Sequence, residues 1–106
     1  MGYTNHRIII VTSWNIDHVT IAHGKAQQLL GNLVTPIIPW EINEGSSFAI
    51  LPDGSKEGWP ESKRYDKLRK EFVLFLDTMA YDDGSSAIKY VYVMLDEDGK
   101  YKFEKT

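Results

Sequence analysis

Four apolar residues in a row, Ile8-Ile9-Ile10-Val11, make up the first regular element of the chain. A continuous β-branched run suits a strand covered on both faces, which predicts a central position in a sheet. After Ser13-Trp14-Asn15 the period changes. Val19, Ala22, Ala26, Leu29 or Leu30, and Leu33 recur at three- and four-residue intervals, the spacing of one helix face. Asp17 is the expected acceptor for the first amides of this helix, and Gly31-Asn32 supplies the positive φ that ends it. Gly24 falls inside and costs about 1 kcal/mol relative to alanine unless close packing compensates. The stretch 34–42 is interrupted by Pro36 and Pro39, which donate no ladder bonds, so it predicts an edge or bulged strand. Asn43-Glu44-Gly45-Ser46 then turns the chain into a third strand over 47–51.

The segment 52–60 carries loop chemistry, with Pro, Asp, Gly and Ser in close succession. A second helix is predicted over about 61–79 from the apolar stripe Tyr65, Leu68, Phe72, Phe75 or Leu76, and Met79. Asp66 with Lys70 and Lys67 with Glu71 are favourable pairs four apart on its wet side, worth about 0.2 to 0.5 kcal/mol each. Asp83-Gly84 ends it. Over 87–95, Ile88, Tyr90, Tyr92 and Met94 alternate with Lys89, Val91, Val93 and Leu95, and Asp98-Gly99 turns this strand back toward Tyr101-Lys102-Phe103. The predicted order is βαββαββ in a single α+β domain over 1–106, a two-layer α/β sandwich. Each helix is expected to link parallel strands of a mixed sheet and both to cover one face. The other face is then left to Tyr side chains, solvent or a partner; where it is incompletely covered, the Tyr90/Tyr92 row becomes a dimerisation surface, and a homo-oligomer is the expectation.

Composition narrows the chemistry. The 106 residues include no cysteine, which removes thiolate nucleophiles and zinc–thiolate or iron–sulfur sites. No apolar run approaches the 18 or so residues that span a bilayer, and the start lacks a signal-peptide stretch, so no membrane association and a cytoplasmic location are expected. A net charge of −3 argues against general duplex binding. Cations concentrate locally: 63–70 holds Lys63, Arg64, Lys67, Arg69 and Lys70 against Asp66.

Two groups of residues are candidates for binding. Lys56, Trp59, Lys63, Arg64 and Lys67 combine an indole with cations at a helix start, where stacking and phosphate or carboxylate contacts are both available. The competing reading makes Trp59-Pro60 a staple for the loop and the cations a solvated face. The second group, Trp14, Asn15 and His18, sits at the carboxyl end of the first strand, the edge that ligands favour in open α/β sheets. His18-Val19-Thr20 has the His-x-Thr form used by two-histidine phosphoesterases, but such enzymes need two copies and one is present. His18 and His23, five apart, do not share a face as an i, i+4 zinc pair would. Neither a P-loop nor a nucleophile elbow occurs. Asp53 and Glu57 read as turn residues on a solvated loop rather than a catalytic carboxylate pair. No metal and no cofactor are expected.

The strings MGYTNHRIIIVTSWN, PDGSKEGW, ESKRYDKLRKEFVLFLD and YVYVMLDEDG resemble a group of small bacteriophage and prophage proteins, and the likeness runs over most of the chain. The group carries no signature that names a reaction. The resemblance implies a phage-encoded accessory protein of the host cytoplasm, serving host takeover or counter-defence by binding a host protein or sequestering a small nucleotide signal. The leading expectation is therefore a non-enzymatic binder. The alternatives are a phosphoesterase acting through His18 and Thr20, and an assembly protein without ligand.

Overall fold

The computed structural model describes residues 6–55, 58–79 and 86–95, together with the backbone of 101–105. Its elements are β1 (His6–Ser13), α1 (Ile16–Leu30), β2 (Ile38–Pro39), β3 (Ser46–Ile50), α2 (Pro60–Asp77), β4 (Lys89–Leu95) and β5 (Tyr101–Lys105), with a 3-10 turn at Gly31–Leu33. Lys56, Glu57 and the turns placed at Asp83-Gly84 and Asp98-Gly99 lie outside the described residues.

Local chemistry sets the element ends. Asn15, in extended backbone, caps α1: its side-chain oxygen accepts from the amides of Asp17 at 3.0 Å and His18 at 3.2 Å. Asp17, the expected cap, is instead a first-turn acid, favourable to the helix dipole. Gly31 closes the helix at φ 52. Proline occupies the first turn of α2, where its missing N–H costs nothing. In the β2–β3 turn, Trp40 donates its amide to the Gly45 carbonyl at 2.8 Å, and its indole lies so close to Gly45 that a Cβ there would overlap the ring.

The five strands lie in the order β2-β3-β1-β4-β5, and every neighbouring pair is antiparallel. This corrects the expected mixed sheet, while the α+β class and the βαββαββ order stand. Each helix does join strands that run the same way, β1 to β2 and β3 to β4, but the two are not neighbours. A third strand fills each gap from the opposite direction, giving two split βαβ units in the ferredoxin-like arrangement, extended by β5. As expected, β1 is central and the proline-broken β2 is a two-residue edge strand.

One core lies between the helices and one face of the sheet. Ile9 and Val11 of β1, Phe48 and Ile50 of β3, and Tyr92 of β4 meet Val19, Ala22, Ala26 and Leu30 of α1 and Phe72 and Leu76 of α2. Phe48 sits edge-on to both Phe72 and His23, whose Nε2 bonds the Thr35 carbonyl oxygen at 2.8 Å.

Two expectations about the sheet faces are corrected here. β1 is covered on one face only: Ile9 and Val11 are buried, whereas Ile10 is 44% exposed. The register pairs Tyr92 with Ile9 and Tyr90 with Val11, so the tyrosine row lies under the helices, with Tyr92 buried and Tyr90 packed against the core. The open face is instead carried by Ile8, Ile10, Val91 and Val93.

Candidate functional site

Arg69 lies on the buried side of α2, in step with Phe72 and Leu76, and is only 1% exposed. A guanidinium that has lost its water must find acceptors within the protein. Its Nη2 donates to Asp53 at 2.6 Å and its Nη1 to Asp66 at 3.2 Å. Asp53 is fixed from its other side by the backbone amide of Ser55 at 3.2 Å and by the Ser55 hydroxyl. The loop before α2 is thereby tied to the helix by a charged crosslink. Burial alone would raise the Asp53 carboxyl, but the bonds from Arg69 and Ser55 more than offset it and hold its pKa below the usual value.

The same carboxylate oxygen of Asp66 accepts from Arg7 Nε at 3.0 Å, so the network runs from the loop through α2 to β1. Arg7 also donates to Met94 Sδ at 3.0 Å, and its charge lies near enough to the Tyr92 hydroxyl to act on its ionisation. Burial pushes the Tyr92 phenol above its ordinary pKa, only partly countered by Arg7, so the group stays a protonated donor at neutral pH. Between α2 and the β1–β4 pair these side chains bound a cleft of about 310 Å³, lined by Arg7, Asp66, Lys70, Val73, Tyr92 and Met94. That volume is at the lower end of the roughly 300 to 1,000 Å³ of small-molecule sites.

The cleft has a polar and an apolar side. Arg7 and Lys70 offer positive charge and Tyr92 a hydroxyl, while Val73 and Met94 offer apolar contact. Lys63, Lys67 and Lys70 recur at four- and three-residue steps along α2, so they form one helical stripe that leads into the cleft at Lys70. An anion approaching along α2 meets this positive stripe before it reaches Arg7.

The two groups expected to bind ligand are not brought together. β1 and β3 are antiparallel and α2 follows β3, so Trp59, Lys63, Arg64 and Lys67 lie at the sheet end where β1 begins. Trp14, Asn15 and His18 lie at the other end, where β1 finishes. Trp14 is 63% exposed, Asn15 is occupied as the α1 cap, and His18 is half-buried in the first helical turn. The Thr20 hydroxyl donates to the Ile16 carbonyl of its own helix at 2.8 Å. Trp59 is about half exposed at the start of α2, and its side chain makes no capping bond. Arg64 is exposed and stacks over the Tyr65 ring at 4.7 Å. Lys56 lies outside the described residues.

The reading from sequence missed Arg7, Asp66, Lys70, Tyr92 and Met94 as a group, and it gave Arg69 no role beyond membership of the basic cluster at 63–70. A signal for Arg69 was present in its spacing of three and seven residues from Phe72 and Leu76. Nothing local marks Arg7 or Tyr92, whose meeting depends on the pairing of β1 with β4. No protein-family model, curated protein or solved structure matches this chain.

Proposed function

We propose that this protein is a non-enzymatic binder of a small anionic molecule of nucleotide-like chemistry, held in the cleft between α2 and the β1–β4 pair. The observation that carries this reading is the convergence of Arg7, Lys70 and the Tyr92 hydroxyl on a 310 Å³ cleft whose carboxylate, Asp66, is immobilised by a buried arginine. Arg7 and Lys70 meet a phosphate or carboxylate, and the Val73–Met94 side accepts the less polar part of the ligand. Pre-set side chains lower the ordering cost of binding. The biological setting proposed with it, implied by the resemblance read from the sequence, is sequestration by a phage accessory protein in counter-defence or host takeover.

Native mass spectrometry with adenosine monophosphate as probe tests the reading. Wild-type protein is expected to retain the nucleotide unaltered, and Lys70→Glu, an exposed substitution, to weaken retention by tenfold or more. Equal retention by the two proteins, or release of a converted product, overturns it.

A further inference from the structure

We infer that Asp66 sets which anion the cleft accepts, by taking hydrogen bonds from the sugar hydroxyls of a ribonucleotide whose phosphate lies against Arg7 and Lys70. The inference rests on the cleft being the ligand site proposed above, and it adds the class of ligand. Asp66 lines the cleft together with both cations. Arg7 Nε at 3.0 Å and Arg69 Nη1 at 3.2 Å both bond its Oδ1, and 34% of the side chain is exposed. The carboxylate is therefore fixed by two guanidinium groups and still reaches the cleft.

Two features point to a ligand that carries hydroxyls. The first is charge. A carboxylate on the wall of an anion site repels the very group that Arg7 and Lys70 attract, which by itself costs affinity. That cost is offset when the same ligand brings donors, since an ionised carboxylate only accepts and its two oxygens have room for about four bonds. Ribose hydroxyls are such donors, and an acidic side chain is their usual partner in dinucleotide sites. The second feature is spacing. Asp66 and Lys70 are four residues apart on α2, which puts them on one face of the helix, about 6 Å apart along its axis. A phosphate at Lys70 and hydroxyls at Asp66 are then about one sugar ring apart, as they are within a single 5′-nucleotide. The Tyr92 hydroxyl adds a donor for the phosphate, and the Val73–Met94 side is left for the base. At about 310 Å³ the cleft fits one such unit rather than a chain of them.

Isothermal titration calorimetry of the full chain with adenosine monophosphate and with its 2′,3′-dideoxy analogue is the test. The two probes share the phosphate and the base and differ only in the hydroxyls. Wild type is expected to bind the dideoxy analogue more weakly by about tenfold or more, the loss that follows from removing bonds to a charged acceptor. In Asp66→Asn, which keeps an oxygen for the two arginines but presents an amide NH₂ where the carboxylate presented an acceptor, the ratio is expected to narrow to about threefold or less. Equal affinity of wild type for the two probes overturns the inference and leaves the cleft as an anion site. A wild-type ratio that persists undiminished in Asp66→Asn overturns it as well, since the hydroxyls then meet another group. Binding of neither probe overturns the cleft reading and this inference together. The wild-type comparison needs no substitution, so it decides the matter whether or not Asp66→Asn folds.

Discussion

Arg69 shows how a single residue ties the loop, the helix and the sheet together. Its charge is out of water, so its two carboxylate partners are obligatory rather than decorative. Replacing it by methionine leaves the Asp53 carboxylate unpaired in a largely buried setting, and chemical denaturation is expected to show a loss of about 3 to 5 kcal/mol. Asp53 gives this network a pH dependence whose sign follows from its lowered pKa. The folded state binds the proton less tightly than the unfolded chain, so the stabilisation is complete above the unfolded value, near 4, and is lost as the pH falls through the folded one. Acid titration of stability should therefore show a steeper decline below about pH 4 for wild type than for Asp53→Asn. Equal slopes would mean that the Asp53–Arg69 bond adds nothing to folding.

At the level of elements, the helices and strands were legible because each has a clear period. The stripe Val19, Ala22, Ala26, Leu30 became the buried side of α1, and the alternation over 87–95 became β4. What period alone left open was which face of a strand is covered. Ile8 to Val11 is apolar on both sides, so only the pairing with β4 shows that Ile9 and Val11 meet the helices. Helix start chemistry was misread by two residues, since Asn15 and Asp17 are both competent caps and the backbone at Asn15 is the extended one. Gly24 yields a prediction at this scale. It is exposed within α1 and a Cβ built on it meets nothing within 4 Å, so no close packing compensates for its flexibility. Gly24→Ala is expected to raise stability by about 0.5 to 1 kcal/mol, read as an upward shift of the thermal midpoint, and a downward shift would refute this reading of α1.

For the whole molecule, antiparallel pairing throughout the sheet is what creates both the cleft and the open sheet face. Inserting β1 between β3 and β4 places Arg7 beside Met94 and brings α2 over Tyr92, which builds the cleft; the same register turns Ile8, Ile10, Val91 and Val93 outward. The cleft was illegible in the sequence because its members come from β1, α2 and β4, separated by about sixty and then twenty residues, and meet only through topology. The basic cluster at 63–70 was legible, but its division into a buried Arg69, an Arg64 stacked on Tyr65 and a Lys63–Lys67–Lys70 stripe required the helix to be docked. The central claim is that the molecule holds a small anion at Arg7 and Lys70 and leaves it chemically unchanged. Nuclear magnetic resonance of the labelled protein during titration with adenosine monophosphate, with the phosphorus signal followed in the same sample, tests it most directly. The account predicts saturable shifts at Arg7, Lys70 and Tyr92 and an intact phosphorus resonance; shifts confined to Trp14 and His18, or a new phosphorus signal growing with time, would contradict it.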